Sequence, residues 1–179
     1  MTALLPIGRS LGRLDRDDRW LVQAGGREHT LDSREYRLWT WALTGGGPCE
    51  PSTGADSGPL VRSMIGRGLL LDFHETDRGH VFDTHTLAPE GSGHGNRHGA
   101  PDEFVLTDPA GRSTVVVSGA TYFVWAHADP ARSLSASCRA AAAHLGRTVT
   151  SVAAAFAADL ASLLRSGCVT LDLVGGDDA

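Results

Sequence analysis

The chain has 179 residues, 41% hydrophobic and 21% charged, with a formal net charge of −5. That balance suits one ordinary globular domain or two small ones and excludes a disordered tail. All sixteen basic residues are Arg; residues 1–73 hold nine Arg and nine acidic residues, whereas 74–179 hold seven Arg against twelve acidic residues. The acidic excess of the second part argues against a surface built to neutralise phosphates.

The N-terminal MTALLPIGRS has neither a basic region nor a sustained apolar stretch, so no secretory signal is expected. The longest apolar runs, such as Val152–Ala158, are too short to span a bilayer. Cys49, Cys138 and Cys168 show no C-x-x-C spacing and fit a reduced, cytoplasmic setting.

Along residues 1–73, Trp20-Leu21-Val22 reads as a strand, Gly26-Arg27 as a turn, and the run to Leu31 as a second strand. Asp32 stands where a helix N-cap is needed, and Tyr36 and Trp39 lie at i, i+3 on the helix that follows. Thr44–Pro59 is too rich in Gly, Pro and Ser to be helical. Pro59–Phe73 then gives a short helix, a stop at Gly68 and an apolar strand. Residues 74–86 begin a connector in which five histidines (His74, His80, His85, His94 and His98) fall within His74–Gly99. Their spacing matches no metal-binding helix, and a solvated linker with no bound metal is expected.

Residues 87–179 run through the same order again. Phe104-Val105-Leu106 matches Trp20-Leu21-Val22, Gly111-Arg112 matches Gly26-Arg27, and Ser118 takes the capping position of Asp32. Tyr122 and Trp125 repeat Tyr36 and Trp39; even LPIGRSLG at Leu5–Gly12 resembles APEGSGHG at Ala88–Gly95. Leu134, Cys138, Ala141 and Leu145 form one helical stripe that Gly146 stops. Val152, Phe156, Leu160, Leu163 and Leu164 form a second stripe, capped by Thr150 or Ser151 and stopped by Gly167, with a strand to Val174. The expectation is an α+β protein of two winged-helix-like repeats, each a small antiparallel sheet with two or three helices. The first repeat lacks the middle helix. Each Tyr/Trp pair, at ~150–250 Å² per ring, should cover a sheet made from the hairpin and the last strand.

The pattern WLV…LD..EYRLW…LV..MI.RGLLLDF resembles PqqD-like domains, the peptide-recognition elements of ribosomal peptide natural-product biosynthesis. The resemblance implies a non-catalytic accessory protein whose partner is a precursor peptide or its modifying enzyme. In that family the peptide adds as a strand beside the third strand and against the third helix. Carried over, the groove lies between Ser113, Thr114, Val115, Val116 and Val117 and the helix Val152–Arg165, with Phe156, Leu160 and Leu163. In the first copy it lies between Arg27–Leu31 and Leu60–Arg67. The alternative for either edge is that the sister repeat covers it. Two departures stand out: the missing helix of the first copy, and the tandem arrangement across a long linker.

No GxSxG, P-loop, GxGxxG or HExxH motif occurs, and no catalytic residue, cofactor or membrane contact is expected. The winged-helix order also admits a DNA-binding regulator. Its recognition helix would be poorly equipped in the second copy, where Val152–Ser166 carries only Arg165, with Asp159 in the middle, and Ser133–Leu145 only Arg139. In the first copy Arg62 and Arg67 flank a short helix that is better suited.

Overall fold

The paired segments Leu5–Gly12 and Ala88–Gly95 form corners between strands. In this computed structural model, which describes residues 2–14, 18–44 and 57–175, β1 (Thr2–Pro6) turns at Gly8 into a meander of β2 (Arg9–Leu14), β3 (Arg19–Ala24) and β4 (Arg27–Asp32). Helices α1 (Ser33–Leu43) and α2 (Ser57–Gly66) follow, then β5 (Leu70–His74). The second half opens with β6 (His85–Pro89) and turns at Gly91 into β7 (Ser92–Arg97), β8 (Ala100–Thr107) and β9 (Thr114–Ser118). It continues through α4 (Gly119–Ala126), α5 (Leu134–Leu145), α6 (Val149–Ser166) and β10 (Val169–Leu173). The fold is α+β, with small antiparallel sheets. The expected non-helical character of Thr44–Pro59 falls mostly on 45–56, outside the described residues.

Backbone sterics explain the two corners. Gly8 has φ +83° and Gly91 has φ +75°; a Cβ on either would stand 2.0 Å from a carbonyl oxygen, that of Gln23 or of Thr107. Only glycine fits there. Asp32 caps α1 through the backbone N–H groups of Arg34 and Glu35, and Glu35 returns a bond to the Asp32 N–H, completing a capping box. Ser118 caps α4 by accepting from the Thr121 N–H. Helix α6 is capped by Thr148, which accepts from the Ser151 N–H, so the cap lies two or three residues before the expected Thr150 or Ser151.

Two expectations are corrected. The last strand of each half does not join the hairpin. It pairs antiparallel with the opening strand, Pro6 against Leu70 and Pro89 against Val169. The expected linker is also structured: a 3₁₀ turn at Glu75–Asp77 leads into a third helix, α3 (Arg78–Thr84), which buries Val81 and Phe82. Two buried apolar side chains dock this short helix.

The aromatic pairs cover the meander. Tyr36 stacks between Trp20 and Trp39 at centroid distances of 4.7 and 6.1 Å; Tyr122 stands between Phe104 and Trp125 at 4.4 and 5.9 Å. Each Trp also ties the first helix of its half to a residue adjoining the strand pair. The Trp39 indole donates to the Ile7 carbonyl, and that of Trp125 to the Cys168 carbonyl, at 3.1 and 3.0 Å. One continuous core joins both halves. At the junction the Gly8 N–H donates to the Leu171 carbonyl and the Gly25 N–H to the Asp172 carboxylate. Helix α6 has the length and apolarity of a membrane span. Its large side chains Val152, Phe156, Leu160, Leu163 and Leu164 are nonetheless all buried in this core.

Candidate functional site

Each three-stranded meander has two outer edges, and unpaired strand edges are where another chain can add. The four edges differ. The pairing of β2 with β3 shifts register between Ser10 and Gly12, and that of β7 with β8 shifts twice. Such bulges twist an edge away from regular pairing. Both ladders at the other edges, β3–β4 and β8–β9, are in unbroken register.

What lies across these two regular edges distinguishes them. Over β4, Arg67 at the end of α2 pairs with Glu35 and donates from Nη2 to the Thr30 carbonyl at 3.3 Å. The guanidinium therefore occupies one outward acceptor of β4. Arg67 immediately precedes the helix-stopping Gly68, and the residue in that place before Gly167 is Ser166. Its hydroxyl turns back to the Leu163 carbonyl of its own helix. The third residue of α4, Thr121, likewise stands in the place of Glu35 but bonds Asp159 of α6 at 2.7 Å. Among the described residues, nothing outside the ladder bonds the backbone of Thr114–Val117.

The expected groove residues separate into two groups. Thr114 and Val116 project to solvent, with Val116 45% exposed; Val115 is half-buried and Val117 buried. Ser113 begins the strand and is half-buried. Phe156, Leu160 and Leu163 are no more than 1% exposed and belong to the core, with Phe156 edge-on to Phe82. They are inaccessible to a peptide. The periodicity that identified their stripe marked the buried face of the helix. The accessible surface of α6 is instead formed by small residues such as Ala154, Ala158 and Ser162.

Ser113, next to the start of β9, lines a cleft of about 500 Å³ between the halves. The first half lines it with Arg9, Ser10, Tyr36 and Thr40; the second contributes Asp108, Arg112, Ser113 and Arg165. Sequence reading missed this cleft. The residues that form it are far apart in the chain and come together only through the packing of α1 on α6.

Other reactive groups are occupied. Burial pushes the Cys138 thiol up to about 12 and raises that of Cys168 as well, so neither is a ready nucleophile. His85 is buried, its Nδ1 within 3.0 Å of the Val81 carbonyl, and desolvation lowers its pKa. Among the described residues no three His, Cys, Asp or Glu side chains gather where they could hold a metal ion. No protein-family model, curated protein or solved structure matches the chain.

Proposed function

We propose that the protein binds an extended segment of a partner polypeptide along β9, as a non-catalytic, cytoplasmic peptide-recognition protein. The observation that carries this reading is the contrast among the four meander edges. Two are bulged, one is crossed by Arg67, and among the described residues β9 combines regular register with an outer edge that nothing else bonds. An added strand would satisfy the free N–H and C=O groups of β9 and lie near α6, which packs close to that strand. Main-chain pairing would supply affinity, and the flanking side chains selectivity. The resemblance to PqqD-like domains supports the same edge and makes a ribosomal precursor peptide, or the enzyme that modifies it, the favoured partner.

The test begins with peptides selected from a random displayed library, then resynthesised with N-methyl groups on alternate residues. Methylating the amides that face β9 should abolish binding, and methylating the opposite set should leave it intact. Val116→Pro should weaken every selected peptide while the thermal unfolding transition is retained. Equal tolerance of both methylation patterns would exclude strand addition.

A further inference from the structure

We infer that the cleft between the halves receives an acidic flank of the bound peptide, so that the partner is an extended segment with Asp or Glu at one end. The inference rests on the strand-addition reading, because a chain lying along β9 past Thr114 reaches Ser113, and Ser113 lines the cleft.

The charge of the cleft carries the argument. Arg9, Arg112 and Arg165 all line it. Arg9 is steadied by the neutral Gln23 amide oxygen, which accepts from Nε at 3.1 Å and Nη2 at 2.9 Å. Arg165 is steadied by its own helix, donating from Nε to the Ala161 carbonyl at 3.2 Å and from Nη2 to the Ser162 hydroxyl at 3.1 Å. These bonds position two guanidinium groups without neutralising them. Each Nη1 has no described partner.

Asp108 is the single carboxylate among the lining residues, and it is already engaged. Its Oδ1 accepts from the Arg112 and Ser113 backbone N–H groups at 2.6 and 3.0 Å. The Ser113 amide, with that of Arg112, holds this carboxyl below the usual carboxylate range. Arg112 approaches Asp108 only to 3.8 Å, and its side chain is 83% exposed. The result is a positively charged cleft in a chain of net charge −5. Guanidinium groups favour carboxylates through paired, charge-assisted hydrogen bonds. The cleft also requires both halves, since Arg9 comes from one and Arg112 and Arg165 from the other. That gives the paired architecture a function: one half supplies the strand edge, and the other closes the acidic-flank pocket.

The experiment uses the full chain and fluorescein-labelled peptides with an alternating Val/Ser segment and an Asp/Glu block at either end. Control peptides carry Asn/Gln in place of the block. One orientation of the acidic peptide should bind about tenfold more tightly than its amide control, with an affinity that falls as salt rises. Combining Arg9→Gln, Arg112→Gln and Arg165→Gln should abolish that preference and leave the control unchanged. Equal affinity for acidic and amide peptides, or no effect of the triple substitution, overturns the inference. Val116→Pro separates this failure from failure of strand addition. If it weakens both peptides while charge makes no difference, strand addition stands and the acidic flank does not. If the arginines matter and Val116→Pro does not, strand addition is overturned. A single-stranded oligonucleotide that binds more tightly than the acidic peptide would reassign the cleft to phosphate.

Discussion

The two halves run the same course from opening strand to meander to helices to closing strand, yet their meanders end differently. In the first, Arg67 and Glu35 close part of the β4 edge; in the second, Ser166 and Thr121 occupy those places and turn their hydroxyls elsewhere. The backbone plan is set by features the halves share: a glycine that no side chain could replace, a capped first helix, and a tryptophan bonded to a residue adjoining the strand pair. What lies over the outer strand edges is set by features they do not share. Arg67 at the end of one helix and Glu35 at the start of another lie over the β4 edge, and among the described residues β9 has no such pair across it.

Substitutions at matched positions test how far the comparison extends. Gly8→Ala and Gly91→Ala should be the most damaging, each costing about 3 kcal/mol or more, because a carbonyl blocks the new Cβ and φ is positive. Chemical denaturation that finds one of the two tolerated would break the equivalence of the corners. Trp39→Phe and Trp125→Phe should each lose about 1–3 kcal/mol by leaving a backbone carbonyl without its indole donor. Similar losses at both sites would show that the two helices are fastened equally firmly, although Ile7 follows an opening strand and Cys168 precedes a closing one.

Arg67→Leu should cost about 1 kcal/mol, the value of a partly exposed ion pair, whereas Ser166→Ala should change stability by less than about 0.5 kcal/mol. Equal losses would mean that the ion pair is not what distinguishes the two edges. The smallest effect concerns pH and belongs to the second half. His85 has a lowered pKa because it is desolvated, with the His80 charge adding to that effect, and the Val81 carbonyl and Asp172 opposing it. The unfolded chain therefore takes up a proton at higher pH than the folded one. His85 contributes its full stability above about 6.5, and the contribution is lost as pH falls through the lower folded value. His85→Gln should flatten this acid-side decline in a series of unfolding curves.

Much of the architecture is readable from single residues. Asp32, Ser118, Gly68, Gly146 and Gly167 all mark helix ends as their chemistry suggests, and the stripes on α5 and α6 are buried apart from Leu145, which is half-buried. The similarity of Leu5–Gly12 to Ala88–Gly95 carried more information than Gly-rich matches usually do. It marks the corners, although the strands on either side alternate too weakly to announce themselves, β2 being exposed throughout. Strand partners could not be read, because pairing β5 with β1 depends on where a whole half closes. The candidate site was half legible. β9 was marked by its apolar run, but the stripe on α6 pointed to its buried face. The difference between Arg67 and Ser166 was visible in the sequence and acquires meaning only when Thr30 is found within reach.

The most direct test of the account is backbone hydrogen exchange with and without a library-selected peptide. Free β9 should exchange at its outward amides, and the bound peptide should protect those alternate amides within Thr114–Val117 while leaving Arg27–Leu31 of β4 unchanged. Protection confined to β4, or binding that leaves β9 exchange untouched, would contradict it.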